Sequence, residues 1–529
     1  MATDSGIAQS SSNRSVAELV EEIKQLTDEI QQLYRQDDLP WIIGYSGGKD
    51  STAIFQLVWN AIAALSEDER KKTIHVITTD TMVENPVVSA WVVKSLDRMK
   101  VAAEKQKMPV NPLLLKPAVR DTFWVNLIGK GYPAPRQGFR WCTERLKIKP
   151  SDNYIREMIR SSGEVILVLG TRKAESASRA KLMAKHRNWR VFPHINYNPN
   201  RPNSLIYTPI EDWTTDEVWL YLMQWKNPWG NNNKDLFTMY RGATADNECP
   251  LVIDTSTPSC GSSRFGCWVC TLVDRDKSME AMISNDEEKE WMQPLLDLRN
   301  ELDVENDLDR RDFRRRQGHV QLYERQKDKS AQTEVVNIPG PYKKKWREEW
   351  VRRVLQAQAE ARQNAPADMK DIELIAIEEL SEIRRIWIEE FHEFDDSLPR
   401  IYQETTGKIF IDPRPNAGNS ELGSDEWEIL EDLCDDPMEL ELMVRLLDTE
   451  RQFQTMSRRV GVLDALEKCF DTSSRSQNEA MESAKAIRQI KQAAKDGDIE
   501  VVKSIINDEP QSGSSYENEN SWASAKFGI

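Results

Sequence analysis

Apolar residues recur along the first part of the chain with two different periods, and these divide it into helices and strands. Val16, Leu19, Ile23, Leu26, Ile30 and Leu33 return at steps of three and four, the spacing of one helical face. Ser15 with Glu18 forms a capping box at the start, so an amphipathic packing helix is predicted from Ser15 to about Tyr34. Short unbroken apolar runs then take over: "WIIGY" from Trp41, "IHVITTD" from Ile74 to Asp80, "PLLLK", and "VILVLG" from Val165 to Gly170, with "SLIYTPI" a fifth candidate. Between the first two, Ile54, Leu57, Val58, Ala61, Ile62 and Leu65 mark one face of a helix, and Thr214 with Glu217 caps another, "DEVWLYLMQW". Continuous apolar strands alternating with amphipathic helices predict an α/β fold with a mostly parallel, doubly wound sheet. In such sheets ligands bind beyond the carboxyl ends of the strands. The polar stretches Ser46–Ser51, Thr78–Thr81 and Gly170–Arg179 fall there.

The periodicity weakens between about Pro228 and Asp274, a Cys-, Gly- and Asn-rich stretch read as loop. From about Lys277 to Lys503 the pattern is helical and highly charged, broken by "VVNIPGPYKKKW" and by the linker-like "DPRPNAGNSELGSD" from Asp412. The predicted organisation is a disordered tail (1–14), the α/β domain (15–227), a Cys-rich loop region (228–276), a charged helical region (277–411), a C-terminal helical region (412–508) and a second disordered tail (509–529). No internal repeat is present.

Composition narrows the class. The chain has 529 residues, 39% apolar and 30% charged, with a formal net charge of −16. That balance argues against coating nucleic acid by bulk attraction but leaves room for local basic patches. There is no apolar run long enough to span a membrane, and "MATDSGIAQSSSNRS" lacks the regions of a signal peptide, so a cytoplasmic protein without membrane contact is expected. Seven cysteines in a reducing compartment are not a disulfide framework.

The stretch "YSGGKDST" places two glycines and a lysine where a strand ends and a helix begins. That arrangement suits a phosphate, because glycine backbone N–H groups close on oxyanions and the helix N-terminus adds its dipole. It is not a Walker A loop, G-x-x-x-x-G-K-S/T: Asp50 follows Gly48-Lys49, and Ile43 stands at the leading glycine.

Cys267 and Cys270 form a C-x-x-C pair in "FGCWVCT", with Cys260 upstream and Cys142 far earlier in "RWCTERLKIKP". A zinc site usually has a second pair or histidine partners, and the cysteine-rich stretch has neither. A thioredoxin-like pair explains Cys267 and Cys270 only. A 4Fe–4S cluster takes four thiolates from distant segments, and this spacing permits it. Cys249 competes with Cys260 for the fourth place, and Cys260 is preferred because it keeps the loop short. Cys434 and Cys469 read as ordinary buried residues.

"SGGKDS" resembles the PP-loop of the ATP pyrophosphatase superfamily, whose fold is the adenine nucleotide α-hydrolase type. The resemblance implies that Ser46, Gly47, Gly48 and Ser51 give hydroxyls and N–H groups to the β- and γ-phosphates of ATP. It also implies that Lys49 neutralises them and that Asp50 helps hold Mg²⁺. "TTDTMVENP", "GTRKAESASR" and "TPIEDWTTDEVWLYL" resemble segments of the phosphoadenylyl-sulfate (PAPS) reductase branch. This implies Asp80 and Thr81 near the adenosine, Gly170 at the nucleotide, and Arg172 and Arg179 on anionic substrate oxygens, with surface ion pairing as the other reading for the two arginines. The reductases' E-C-G-I/L-H motif is absent, and "NECPLV" does not replace it, which disfavours PAPS reduction.

Taken together with "SSRFGCWVCT" and "PGPYKKKWREEW", these motifs are similar to the DndC family, sulfurtransferases of bacterial DNA phosphorothioation, over roughly residues 15–360. That resemblance implies ATP, Mg²⁺ and a 4Fe–4S cluster on Cys142, Cys260, Cys267 and Cys270. It also implies cleavage of ATP to AMP and pyrophosphate, a DNA substrate, and as partners DndD, DndE and a cysteine desulfurase of the DndA/IscS type. Two basic stretches, Arg310–Arg316 and Lys343–Arg353, each carry a local charge of +4. With Tyr342, Trp346 and Trp350 beside them they suit a nucleic-acid backbone, although the tryptophans also fit a buried stripe. PAPS or adenylyl-sulfate reduction, tRNA thiolation, and a binding scaffold with a degenerate site remain as alternatives.

Overall fold

The computed structural model describes residues 14–496 apart from 177–179, 182, 185–189, 245–264, 317, 327–332, 415–423, 435, 455, 457 and 474–475. Both tails expected to be disordered therefore lie outside the described residues, Arg14 excepted. The chain forms two compact units, Met1–Asp307 with Lys344–Glu421, and Leu308–Lys343 with Leu422–Ile529.

The first unit is built on a seven-stranded sheet: β1 (Trp41–Gly44), β2 (Ile74–Thr79), β3 (Val110–Leu115), β4 (Val165–Val168), β5 (Arg190–Phe192), β6 (Ile195–Tyr197) and β7 (Ser204–Tyr207). Its order is β3-β2-β1-β4-β7-β6-β5. The five strands from β3 to β7 run parallel, Trp41 of β1 standing opposite Ile74 on one side and Ile166 on the other. The order turns back at β1 and β4, so the crevice beyond their carboxyl ends is the topological switch point. The sequence pattern missed β5 and β6, an antiparallel edge pair of three residues each. Such short elements carry too few residues for a period to register.

Both faces of the sheet are covered. On one lie α1 (Val16–Gln36), α2 (Lys49–Ala63) and α3 (Pro86–Gln106), packed with Trp41, Trp59, Trp213, Trp219 and Trp229. The capping box of Ser15 with Glu18 is formed, and Leu19, Ile23, Leu26, Ile30 and Leu33 are buried, whereas Val16 is exposed. On the other face α4 (Lys149–Ser162) sets Ile155 against Ile42, Ile77, Val165 and Leu167. Each of these apolar side chains contributes about 1.5–3 kcal/mol on burial, which is ample to hold the sheet's ends in register.

Beyond the sheet come α5 (Thr215–Gln224) and α6 (Asn233–Gly242). The second of these lies inside the stretch read as loop. Asn232 caps it, and Leu236 and Tyr240 turn one face inward. α7 (Lys277–Asn285) and α8 (Gln293–Leu302) follow, and α9 (Lys344–Asn364), α10 (Ile377–Phe391) and α11 (Ser397–Thr406) complete the unit. α10 packs on a wide turn, Val125–Gly129: Trp387 Nε1 donates to the Ile128 carbonyl at 3.2 Å, and Trp124 Nε1 donates to the Leu374 carbonyl at 2.6 Å.

The second unit holds an antiparallel hairpin, β8 (Leu322–Gln326) and β9 (Thr333–Asn337), with α12 (Ser424–Leu433), α13 (Pro437–Gln454), α14 (Val462–Ser473) and α15 (Gln477–Asp496). The hairpin differs from the helical region expected over 277–411. Thr333, Val335 and Val336 are β-branched and favour the pleated ladder over a helix. Cys434 and Cys469 are half-buried rather than buried.

Candidate active site

At the end of β1 the chain makes a tight turn into α2, and its form depends on glycine. Gly47 has φ +73°, and a Cβ there would stand 2.5 Å from Val92 Cγ2. Gly48 is the N-cap of α2. The turn is tied from inside: Ser51 Oγ donates to the Gly48 carbonyl at 3.0 Å and accepts from the Ser46 amide at 3.2 Å. Trp91 Nε1 of α3 holds the Gly47 carbonyl at 3.1 Å. The α2 N-terminus thus faces a cleft of about 720 Å³ at the switch point, lined by Ser46, Gly47, Gly48, Lys49 and Asp50 among others. N–H groups, a helix dipole and an ammonium meet there, which is a site for anionic oxygens.

The charges beside the loop are set by partners. Lys49 is buried, with its ammonium 3.4 Å from Asp50 Oδ2 and 5.2 Å above the ring of Tyr240. Arg172 follows β4, is only 1% exposed, and donates from Nε to Asp50 Oδ1 at 2.8 Å, from Nη1 to the Trp213 carbonyl at 3.0 Å and from Nη2 to Thr215 Oγ1 at 3.4 Å. These bonds position Asp50, and the residue, expected on substrate oxygens, also lines the cleft. With both oxygens of Asp50 facing protein cations, a divalent ion here would depend chiefly on the phosphates it accompanied, the usual habit of Mg²⁺. Gly170 sits where β4 meets α2: a Cβ on it would lie 2.7 Å from the Asp50 carbonyl oxygen, so its smallness lets the two backbones approach. Arg179 lies outside the described residues.

The end of β2 forms the opposite wall. Asp80 lines the cleft, accepts from the Met82 amide at 2.8 Å and has Lys116 3.8 Å away. Thr81 is buried and does not line the cleft; its hydroxyl meets Glu84 Oε1 at 3.0 Å and Cys267 Sγ at 3.4 Å. Glu84 and Lys147, 3.4 Å apart, both line the cleft. A single loop, 80–84, therefore borders the nucleotide-sized cleft on one side and a cysteine on the other.

Three of the four expected cluster ligands, Cys142, Cys267 and Cys270, lie among the described residues, and Cys267 stands directly behind that loop. Cys267 pairs through its backbone with Glu84, and Cys270 N donates to the Cys267 carbonyl at 3.0 Å. Burial, aided by Glu84, pushes the Cys267 thiol up to about 12, and burial also raises Cys142. Lys147, whose side chain is half exposed, is held above its ordinary value against partial desolvation by Cys267 and Glu84. The thiols are thus disfavoured as free anions, yet a cation stands ready beside them, which suits ligands that ionise on meeting a positively charged metal centre. Among the described residues no group of three or more His, Cys, Asp or Glu is placed to hold a metal ion. Cys260 and Cys249 lie outside the described residues. The donor set present, three thiols from two segments, fits a thiolate-held cluster with a fourth ligand from elsewhere.

Sequence reasoning missed Tyr240, Glu84 and Lys147. Tyr240 accepts from the Lys49 amide at 3.4 Å, and burial raises its phenol well above the ordinary value. Its i, i+4 relation to Leu236 was the available signal, obscured by the surrounding asparagines. The basic stretches also look different in three dimensions. Arg347 pairs with Glu393, Arg353 with Glu301 and Lys344 with Asp395, and Trp350 is buried. Arg311 donates to the carbonyls of Pro339 and Gly340, and Arg314 pairs with Asp312 and Glu441. Much of this charge is engaged in holding the fold.

The model of the phosphoadenosine phosphosulfate reductase domain matches residues 40–272, and the sheet and loop are those of the PP-loop fold. An uncharacterized protein of Methanocaldococcus jannaschii is 27% identical over 200 residues, 38% of this chain and 35% of its own. The chain thus spans little more than a third of that curated relative. Among solved structures, the PAPS reductase of Candida auris in its phosphate complex aligns with 40% of this chain and 87% of its own, at 13% identity and TM-score 0.25. The U34-tRNA thiolase of Methanococcus maripaludis with its 4Fe–4S cluster aligns with 42% and 73%, at 14% identity and TM-score 0.26. No helix among the described residues is long and apolar enough to cross a membrane.

Proposed function

We propose that this protein is an ATP pyrophosphatase and sulfurtransferase that activates a DNA backbone phosphate, as in DNA phosphorothioation. The observation that carries the reading is the shared loop: residues 80–84 border both the anion-binding cleft and Cys267. Phosphate activation and sulfur chemistry would then take place on two sides of one wall.

In this reading the triphosphate lies against Ser46–Ser51 with its β- and γ-phosphates on the α2 N-terminus. Lys49, held down by Tyr240 and Asp50, neutralises the diphosphate as it leaves. Mg²⁺, when bound with the nucleotide, adds charge neutralisation at the same oxygens. A non-bridging oxygen of the DNA phosphate attacks the α-phosphorus, the bond to the β-phosphate oxygen breaks, and pyrophosphate departs. The DNA phosphate now carries AMP. A sulfur nucleophile displaces AMP, leaving sulfur where the oxygen stood. Arg172 keeps Asp50 in place throughout, and Lys147 presents positive charge on the cysteine side of the cleft. Cys142, Cys267 and Cys270 would hold an iron–sulfur cluster with Cys260, and such a cluster supplies either sulfide-level sulfur or electrons. A cysteine desulfurase as sulfur donor, and DndD and DndE as partners, belong to the same proposal.

The match to the PAPS reductase domain favours one second reading, reduction of a sulfonucleotide in the same cleft. Incubation of the purified protein with ATP, DNA, a sulfur donor and reductant separates the two. Phosphorothioate dinucleotides in the digested DNA, seen by mass spectrometry, support the first reading. Sulfite released from PAPS without DNA or ATP supports the second.

A further inference from the structure

The second unit contains a cavity that the proposed chemistry does not use. It is a groove of about 600 Å³ between residues 318–322, leading into β8, and one face of α15. Its floor is small and apolar, with Ala480, Ala484 and Ile487. Its rim is cationic, with Arg488, Lys491 and Lys495 at helical spacing and His319 on the facing wall. Every formally charged residue lining the groove is basic, in a chain whose net charge is −16. Arg314 also lines it, but Asp312 and Glu441 neutralise that guanidinium. Arg488 donates to the Leu322 carbonyl at 3.3 Å and pairs with Glu324; the paired side chains are 37% and 55% exposed, so water and salt weaken that ion pair and leave its charge open to a phosphate. Lys491 and Lys495 are exposed and one turn apart on the same face.

We propose that this groove grips the sugar–phosphate backbone of a nucleic-acid strand. Two to three cations in line can meet successive phosphates, and the small floor lets the strand approach the helix closely. Among the described residues no Phe, Tyr or Trp lines the groove and His319 is its one ring, so the contact rests on phosphates more than on base stacking and carries affinity and register with little sequence. The assignment rests on the groove's own lining and not on the reaction in the cleft.

The test is fluorescence anisotropy of the full chain with a labelled DNA duplex over a salt series, without ATP. Each phosphate contact contributes roughly −0.9 to the slope of log K against log salt. Replacing both lysines, Lys491→Gln with Lys495→Gln, should weaken binding about tenfold at low salt and flatten the slope by about 2. Both side chains are exposed, and an unchanged melting temperature will show that the fold is intact. Wild-type affinity and slope in the double variant overturn the proposal. So does displacement of the duplex by polyglutamate at equal charge concentration, which marks the groove as a site for an acidic protein. Pyrophosphate release from ATP is read separately. If it occurs while the variant binds DNA normally, the groove assignment fails alone; if it is absent while the salt slope behaves as stated, the cleft assignment fails alone.

Discussion

Arg172→Lys distinguishes a residue that positions Asp50 from one that touches substrate. The guanidinium is buried, and its three nitrogens donate to Asp50 Oδ1, the Trp213 carbonyl and Thr215 Oγ1. A lysine ammonium keeps the charge but cannot span all three, and it lacks the planar fork. Hydrogen bonds involving a charged group contribute about 1.5–3 kcal/mol each, and leaving a buried acceptor unmet adds its desolvation cost. Loss of two contacts with partial rearrangement should therefore destabilise the first unit by about 3 kcal/mol. For a unit of this size that corresponds to a fall in melting temperature of roughly 3–5 °C. Asp50, released on one side, would swing toward Lys49, so kcat for pyrophosphate release should fall about tenfold or more while KM for ATP changes less than about threefold. Calorimetry and a coupled pyrophosphate assay read the two effects. A variant with unchanged melting temperature but KM for ATP raised more than about tenfold would refute the positioning role.

The legible parts of the site were those whose chemistry is local. Ser46 to Ser51 could be read because the turn, its glycines and the helix start are contiguous, and the mostly parallel sheet follows from buried runs alternating with helices. Arg172 could not be oriented from sequence, because its partner Asp50 lies 122 positions away and a motif arginine reads equally as a substrate contact. Tyr240 was hidden because its helix is short and polar. The basic run from Lys343 was misleading for a related reason: Arg347 and Arg353 find carboxylates 46 and 52 positions distant. Long-range pairing of charge leaves no mark on local pattern.

Gly170→Ala should reduce pyrophosphate release at least tenfold, with a stability loss of about 1–3 kcal/mol, because the added Cβ meets the Asp50 backbone rather than a movable side chain; Gly163→Ala or any other distant change is no substitute, and unchanged kinetics in Gly170→Ala would contradict the close approach. Glu379 is fully buried in α10, and burial raises its carboxyl to about 7. The folded state therefore holds this proton more tightly than the unfolded chain, and stability falls as pH rises from about 4.5 to 7. Glu379→Gln should match the wild type near pH 5 and exceed it by up to about 3 kcal/mol above pH 7 in chemical denaturation; parallel curves across that range would disprove the assignment. Anaerobically purified protein should contain iron and acid-labile sulfide. Cys142→Ser, Cys267→Ser and Cys270→Ser should each lose most of both, and full iron content in all three would overturn the ligand assignment.

The most direct measurement is the identity of the products when the protein, ATP labelled in the α- and γ-phosphates, Mg²⁺ and DNA are incubated together. The account predicts α-label in AMP or on DNA and γ-label in pyrophosphate, with both signals lost in Lys49→Ala. Appearance of ADP and orthophosphate instead would contradict it.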